Sequence, residues 1–200
     1  EARNIWDLVV RRAEERPDRE MAVDERGRRL SFGDYRARAE RAAAGLAALG
    51  VGEGAVVSWV QPTTLEAMVL FGALRRLGAV QNPILPIYRE RETGFIVGQT
   101  RARLLCVPPV FRRFDYAAMA KSLAASRPGL EVLVVEDALP EADPKGLPPA
   151  PEPPGLRDAP VRWILSTSGT TSDPKGAQHT DPSLIAAFTG MTRVLDLKSD

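Results

Sequence analysis

Apolar and polar positions along this chain alternate between a helical and an extended period. Behind Asn4, a suitable N-cap, Ile5, Leu8, Val9 and Ala13 recur at helical spacing. "EMAVDERGRRLSF" reads as two short strands about a turn at Gly27. Ser31 and Asp34 make a capping-box pattern. The helix they open is expected to bury Tyr35, Ala39, Ala42, Leu46 and Leu49 before Gly50 ends it. "AVVSWV" (55–60) is a strand. Thr64 to Leu77 is a helix stopped by Gly78, apolar on more than one face apart from Glu66, Arg75 and Arg76, which predicts cover on two sides. "RRLG" and "RERE" nevertheless read as solvated helix faces. Strands follow at 79–84, 103–107, 131–135 and 161–165, with helices at Glu90–Gln99 and Phe114–Ser126. Asp181 caps a last helix with Pro182 at its first position.

Strands and helices that alternate over short connections predict an α/β fold: layered, with a mostly parallel sheet flanked by helices. The exception is Asp137–Pro160, which holds 8 of the 17 prolines. It can be neither helix nor central strand and reads as an extended linker. The expected organisation is therefore a first α/β unit over 1–136, a Pro-rich linker over 137–160, and a strand, loop and helix over 161–200.

Composition narrows the function classes. With 27 Lys and Arg against 26 Asp and Glu, the chain lacks the basic excess expected of a nucleic-acid or membrane-surface binder. No apolar run approaches the ~20 residues of a membrane span. The single cysteine, Cys106, sits in "RLLCVP" and reads as a buried thiol. It excludes an internal disulfide framework and fits a reducing, cytoplasmic setting. The first residues show neither a signal-peptide pattern nor an initiator Met, as expected of a trimmed chain. Trp59 and Trp163 read as strand-core residues, and His179 as a polar residue at a helix entrance. One histidine without a second ligand argues against a zinc site.

The chemistry concentrates in "WILSTSGTTSDPKGAQHTD". Six of the seven residues from Ser166 to Ser172 are Ser or Thr, and the seventh is Gly169. Small hydroxylated residues offer many donors with little bulk, and Gly169 permits a close backbone approach. Exposed N–H groups in such a turn form an anion-binding concavity, to which Lys175 adds positive charge. Gly169 and Lys175 have P-loop spacing, but Pro174 replaces the glycine before the lysine and Gly176 replaces the metal-binding Ser or Thr. This is a phosphate loop of another design.

Thr167 to Gly176 resembles the signature loop of the adenylate-forming (AMP-binding) superfamily, T-S-G-T-T-G-x-P-K-G, which includes acyl-CoA synthetases, luciferases and peptide-synthetase adenylation domains. Ser172 stands where glycine is usual. "LSFGDYRARAERAAAGLAALGVGEG" and the stretch from Ser58 to Val107 resemble the family's early core, so the likeness runs over nearly the whole chain. "QNPILPIYRERE" and "PKGAQHTD" look most like the branch activating fatty and alicyclic carboxylates.

The resemblance implies an AMP-forming acid–thiol ligase of fatty acid and lipid metabolism. A carboxylate attacks the α-phosphorus of Mg·ATP, pyrophosphate leaves, and a thiol, CoA, takes the acyl group. Thr167, Ser168, Thr170 and Thr171 would donate to the β- and γ-phosphates, Gly169 would allow close approach, and Lys175 would pair with charge. In the family the acyl pocket, the magnesium-binding carboxylate and the catalytic lysine lie in later parts. This chain is therefore expected to be an N-terminal portion with no catalytic residue and no metal ligand of its own, inactive alone. A homodimer is left open. The alternatives are an enzyme loading an acyl carrier protein and a non-enzymatic nucleotide- or partner-binding domain.

Overall fold

The computed structural model describes residues 2, 4–153, 155, 157–167 and 174–196. In chain order these form α1 (Ile5–Glu15), β1 (Glu20–Val23), β2 (Arg29–Ser31), α2 (Phe32–Ala48), β3 (Val56–Trp59), α3 (Leu65–Arg76), β4 (Val80–Pro83) and α4 (Glu90–Thr100). There follow β5 (Leu104–Val107), β6 (Val110–Phe111), β7 (Phe114–Asp115), α5 (Tyr116–Ala125), β8 (Glu131–Val134), a short 3-10 turn at Pro144–Gly146, β9 (Val161–Thr167), β10 (Lys175–Thr180) and α6 (Asp181–Val194). The capping signals act as read: Asn4 accepts from Trp6 N–H, Ser31 from Asp34 N–H and Thr64 from Ala67 N–H.

Six strands form one mixed sheet in the order β10-β9-β4-β3-β5-β8. All neighbours are parallel except β9 and β10, which pair antiparallel. The chain steps from β3 to β4 in one direction, then back past β3 to β5 and on to β8. Because such crossovers are right-handed, reversing the direction moves the connecting helices to the other face. Strand residues accordingly alternate between two cores. Val57, Leu104 and Cys106 pack with Tyr35, Leu46, Leu70 and Leu74 of α2 and α3. Leu105 and Val107 pack with Ile96, Tyr116 and Leu123 of α4 and α5.

α3 is the most enclosed helix: nine of its twelve residues are buried, Glu66 and Arg75 among them. Arg28 grips the Glu66 carboxylate with two hydrogen bonds, 2.9 and 3.2 Å. Gly72 lets α2 approach, since a Cβ there would lie 2.7 Å from the Tyr35 hydroxyl. The stretch from 137 to 160 leaves the β8 edge and returns to β9, beside β4. On the way it buries Leu139 in the α2–α3 core, pairs Glu141 with Arg41, and accepts hydrogen bonds from Arg76 at Pro148 O and from Asn4 at Pro151 O.

Several sequence expectations change. In α1 Ala13 is buried as expected, but the other buried side chain is Trp6 and Leu8 is exposed; Leu49 also stands exposed, just past the end of α2. Residues 110–115 form the small β6–β7 hairpin, so α5 starts at Tyr116 rather than Phe114. "RRLG" is not a solvated face: Arg75 is 1% exposed. Arg89 of "RERE" lies over the Phe114 ring at 4.4 Å. The last helix is capped by Thr180, which leaves the Asp181 carboxylate free to point elsewhere.

Candidate functional site

β9 runs parallel to β4, so it delivers its C-terminal end to the same edge as the ends of β3, β4 and β5. That carboxyl edge is where open α/β sheets bind ligands. The chain returns as β10, a strand absent from the sequence reading, in the register Lys175↔Thr167, Gly176↔Ser166, Ala177↔Leu165. β9 and β10 therefore flank the hydroxyl-rich segment as an antiparallel pair. Of the six candidate residues, Thr167 and Lys175 are placed, directly opposite each other at the end of that pair. Ser168, Gly169, Thr170 and Thr171 lie outside the described residues. Thr167 Oγ1 donates to the Lys175 carbonyl at 3.2 Å. A phosphate oxygen arriving there would compete for that proton. Both residues are exposed, so the lysine's charge is available to a ligand.

The base of the hairpin is held by buried polar contacts that the sequence did not signal. β9 meets β4 at one register pair, Gln81↔Trp163. Side chains supply the remaining links: Asn82 Nδ2 donates to Ile164 O at 2.8 Å, while Ser58 Oγ donates to Asn82 Oδ1 at 2.7 Å. Arg162 reaches Gly78 O and, at 2.5 Å, Glu53. Trp163 packs on Phe71 with ring centroids 5.0 Å apart, and its Nε1 donates to Asp181 Oδ1 at 3.1 Å. Asp181 Oδ2 accepts from Arg75 Nη2 at 2.5 Å and from Ile5 N at 3.2 Å. Burial pushes the Arg75 guanidinium below its ordinary value, and the Asp181 charge opposes that shift. Only the tertiary fold shows this convergence, because its members lie far apart in sequence.

Beside the end of β3 a cavity of about 300 Å³ opens among Tyr35, Trp59, Gln61, Met68 and Phe71. Among the described residues no charged side chain lines it; its polar side chains are Tyr35, Gln61, Thr63 and Thr64. Among the described residues no group of three or more His, Cys, Asp or Glu is placed to hold a metal ion. Among them, too, no helix is long and apolar enough to cross a membrane.

The described residues thus form an α/β sheet with Thr167 and Lys175 paired at its carboxyl edge. Comparisons with known proteins show which family has this arrangement. The model of the AMP-binding enzyme family matches residues 9–200. The chain is 31% identical over 184 residues to 4-coumarate–CoA ligase 5 of Oryza sativa subsp. japonica, covering 92% of this chain and 34% of that protein. It is 32% identical over 203 residues to the salicyl-AMP ligase / salicyl-S-ArCP synthetase of Mycobacterium tuberculosis, again covering 92% and 34%. The inhibitor-bound crystal structure of the N-terminal domain of FACL13 from Mycobacterium tuberculosis superposes with a TM-score of 0.76 at 26% identity, covering 95% of this chain and 47% of that one. This chain belongs to the AMP-binding enzyme family, the adenylate-forming enzymes, and resembles the N-terminal part of an acyl-CoA synthetase. It spans about a third or less of the length of the curated relatives it matches.

Proposed function

We propose that this chain is the phosphate-holding portion of an ATP-dependent acid–thiol ligase that forms an acyl adenylate and passes the acyl group to CoA. In this reading 1–136 is the first subdomain of the adenylation domain, 137–160 its linker, and 161–200 the strand, loop and helix. The observation that supports the proposal is the Thr167–Lys175 pairing at the carboxyl end of β9, in a chain matched by the family model over residues 9–200.

Thr167, Ser168, Thr170 and Thr171 supply donors to the β- and γ-phosphates, Gly169 allows their close approach, and Lys175 neutralises charge as pyrophosphate departs. Magnesium, when bound with ATP, would supply further neutralisation of the same charge. The proposed setting is cytoplasmic, with a carboxylic acid, ATP and CoA as small-molecule partners. By their names, relatives act on 4-coumarate, salicylate, sulfoacetate and medium-chain fatty acids, so the fatty or alicyclic branch is a proposal tested by an acid panel.

The full-length protein is expected to release pyrophosphate from ATP when given its acid. No release across aliphatic, alicyclic and aromatic acids overturns the proposal. Lys175→Ala should lower kcat/KM for ATP by about ten- to a hundredfold, an electrostatic loss on the order of 1.4–2.8 kcal/mol, and leave KM for the acid nearly unchanged. One observation favours a second acceptor: the salicyl-AMP ligase relative carries an ArCP in its name and is as similar as the CoA ligase. Offering CoA and a phosphopantetheinylated carrier protein side by side separates the two. The 200 residues alone are proposed to make no thioester.

A further inference from the structure

We propose that the buried Arg75–Asp181 pair is a positioning device that fixes the β9–β10 hairpin, and with it the phosphate loop, against the sheet. The inference rests on the reading of the 166–176 segment as a phosphate cradle.

Three observations carry it. The backbone ladder alone holds the hairpin weakly, since β9 meets β4 at one register pair and β10 is the sheet edge. Asp181 follows directly on β10 and gathers three elements on one carboxylate: the first N–H of α1, the Arg75 guanidinium in the last turn of α3, and the indole N–H of Trp163 in β9. Arg75 also donates to Ala79 O at 3.3 Å, tying the same point to the turn that enters β4. Trp163 in β9 and the guanidinium of α3 thus meet at one carboxylate, that of Asp181 directly after β10.

The pair is 1% and 3% exposed, which makes it costly to desolvate. A buried ion pair is weak evidence for stability, because packed apolar groups of similar volume often serve as well. What apolar groups do not supply is direction. Hydrogen bonds to opposite carboxylate oxygens fix the angle between β9, α3 and α6, whereas a methyl contact tolerates rotation. Arg75 and Asp181 lie outside the 166–176 segment assigned to the phosphates and act on it through the strands, as positioning residues.

The test uses the full-length enzyme and three readouts: Tm, KM for ATP against KM for the acid, and hydrogen exchange of amides in 161–180. Asp181→Asn preserves volume and one acceptor oxygen but removes the charge facing Arg75. It should lower Tm, raise KM for ATP on the order of tenfold, leave KM for the acid within about twofold, and speed exchange in the hairpin. The Arg75→Met/Asp181→Asn double variant keeps an acceptor for Trp163 Nε1 and removes the unpaired cation, so it should recover Tm while KM for ATP and exchange stay raised. A purely structural pair would behave differently: KM and exchange would return with Tm, and that result overturns the proposal. Wild-type exchange in Asp181→Asn overturns it too. If Asp181→Asn fails to fold, the double variant carries both readouts. Lys175→Ala is the control for the functional reading. Unchanged ATP kinetics there would sink the cradle assignment, while the exchange readout would still decide whether the pair fixes the hairpin.

Discussion

Cys106 and Asp181 show opposite uses of burial by single residues. Cys106 is fully buried in β5, where loss of solvent pushes its thiol from 9.0 up to about 12. The folded thiol therefore keeps its proton where the unfolded one has lost it. Its contribution to stability is complete below pH 9 and declines as pH rises from 9 towards 12. Alkylation of the native protein at pH 8 should be slower than that of the urea-unfolded chain by a factor on the order of a hundred or more; equal rates would place the thiol at the surface. Asp181 is equally buried but charged, and it is satisfied by three donors from three elements. Its position after Thr180 looks like a routine helix start in the sequence. Nothing local distinguishes a cap from a residue that turns away towards α3, because the difference lies in a partner 106 positions earlier.

Elements inherit constraints from what crosses them. α2 contains Gly45 in mid-helix, where alanine would ordinarily gain about 1 kcal/mol in helix propensity. Here a Cβ would lie 2.1 Å from Pro140 O, a backbone atom of the Pro-rich stretch. Gly45→Ala should therefore destabilise by about 1–3 kcal/mol, read by urea unfolding, with faster exchange at the Ala142 amide that donates to Arg41 O. An unchanged midpoint would mean that the stretch does not rest on α2. At the sheet, Asn82→Leu removes the donor to Ile164 O and leaves Ser58 without its acceptor. The expected cost is about 1–3 kcal/mol, since Ser58 is fully buried and the contact at Ile164 O is part-buried.

At the scale of the whole molecule, the crossing from β8 back to β9 decides whether one sheet forms. Residues 143–151 carry four prolines, and the hydrogen bonds made there by Arg76 and Asn4 end on backbone carbonyls. Replacing 143–151 by Gly and Ser of equal length keeps those acceptors but frees the unfolded chain. Stability should fall by about 2–4 kcal/mol with far-UV circular dichroism unchanged; no loss would show that rigidity there is irrelevant. Apolar period and capping residues alone specify α1 to α5, β3 to β5, β8 and β9, because those signals are local. The motif behind the proposed phosphate loop is legible for the same reason: its hydroxyls, Gly169, Pro174 and Lys175 lie within one short segment. β10 escaped the reading because "KGAQHT" has no strong strand pattern and is a strand only because β9 is there to pair with. By itself, the sequence determined the α/β class, the family and the motif from which the loop's role is proposed, all carried by neighbouring residues. Only the tertiary structure decided that β10 pairs with β9, that Arg75 of "RRLG" faces inward, and that Arg75, Trp163 and Asp181 meet beside that pair, since such contacts depend on the order of strands in the sheet.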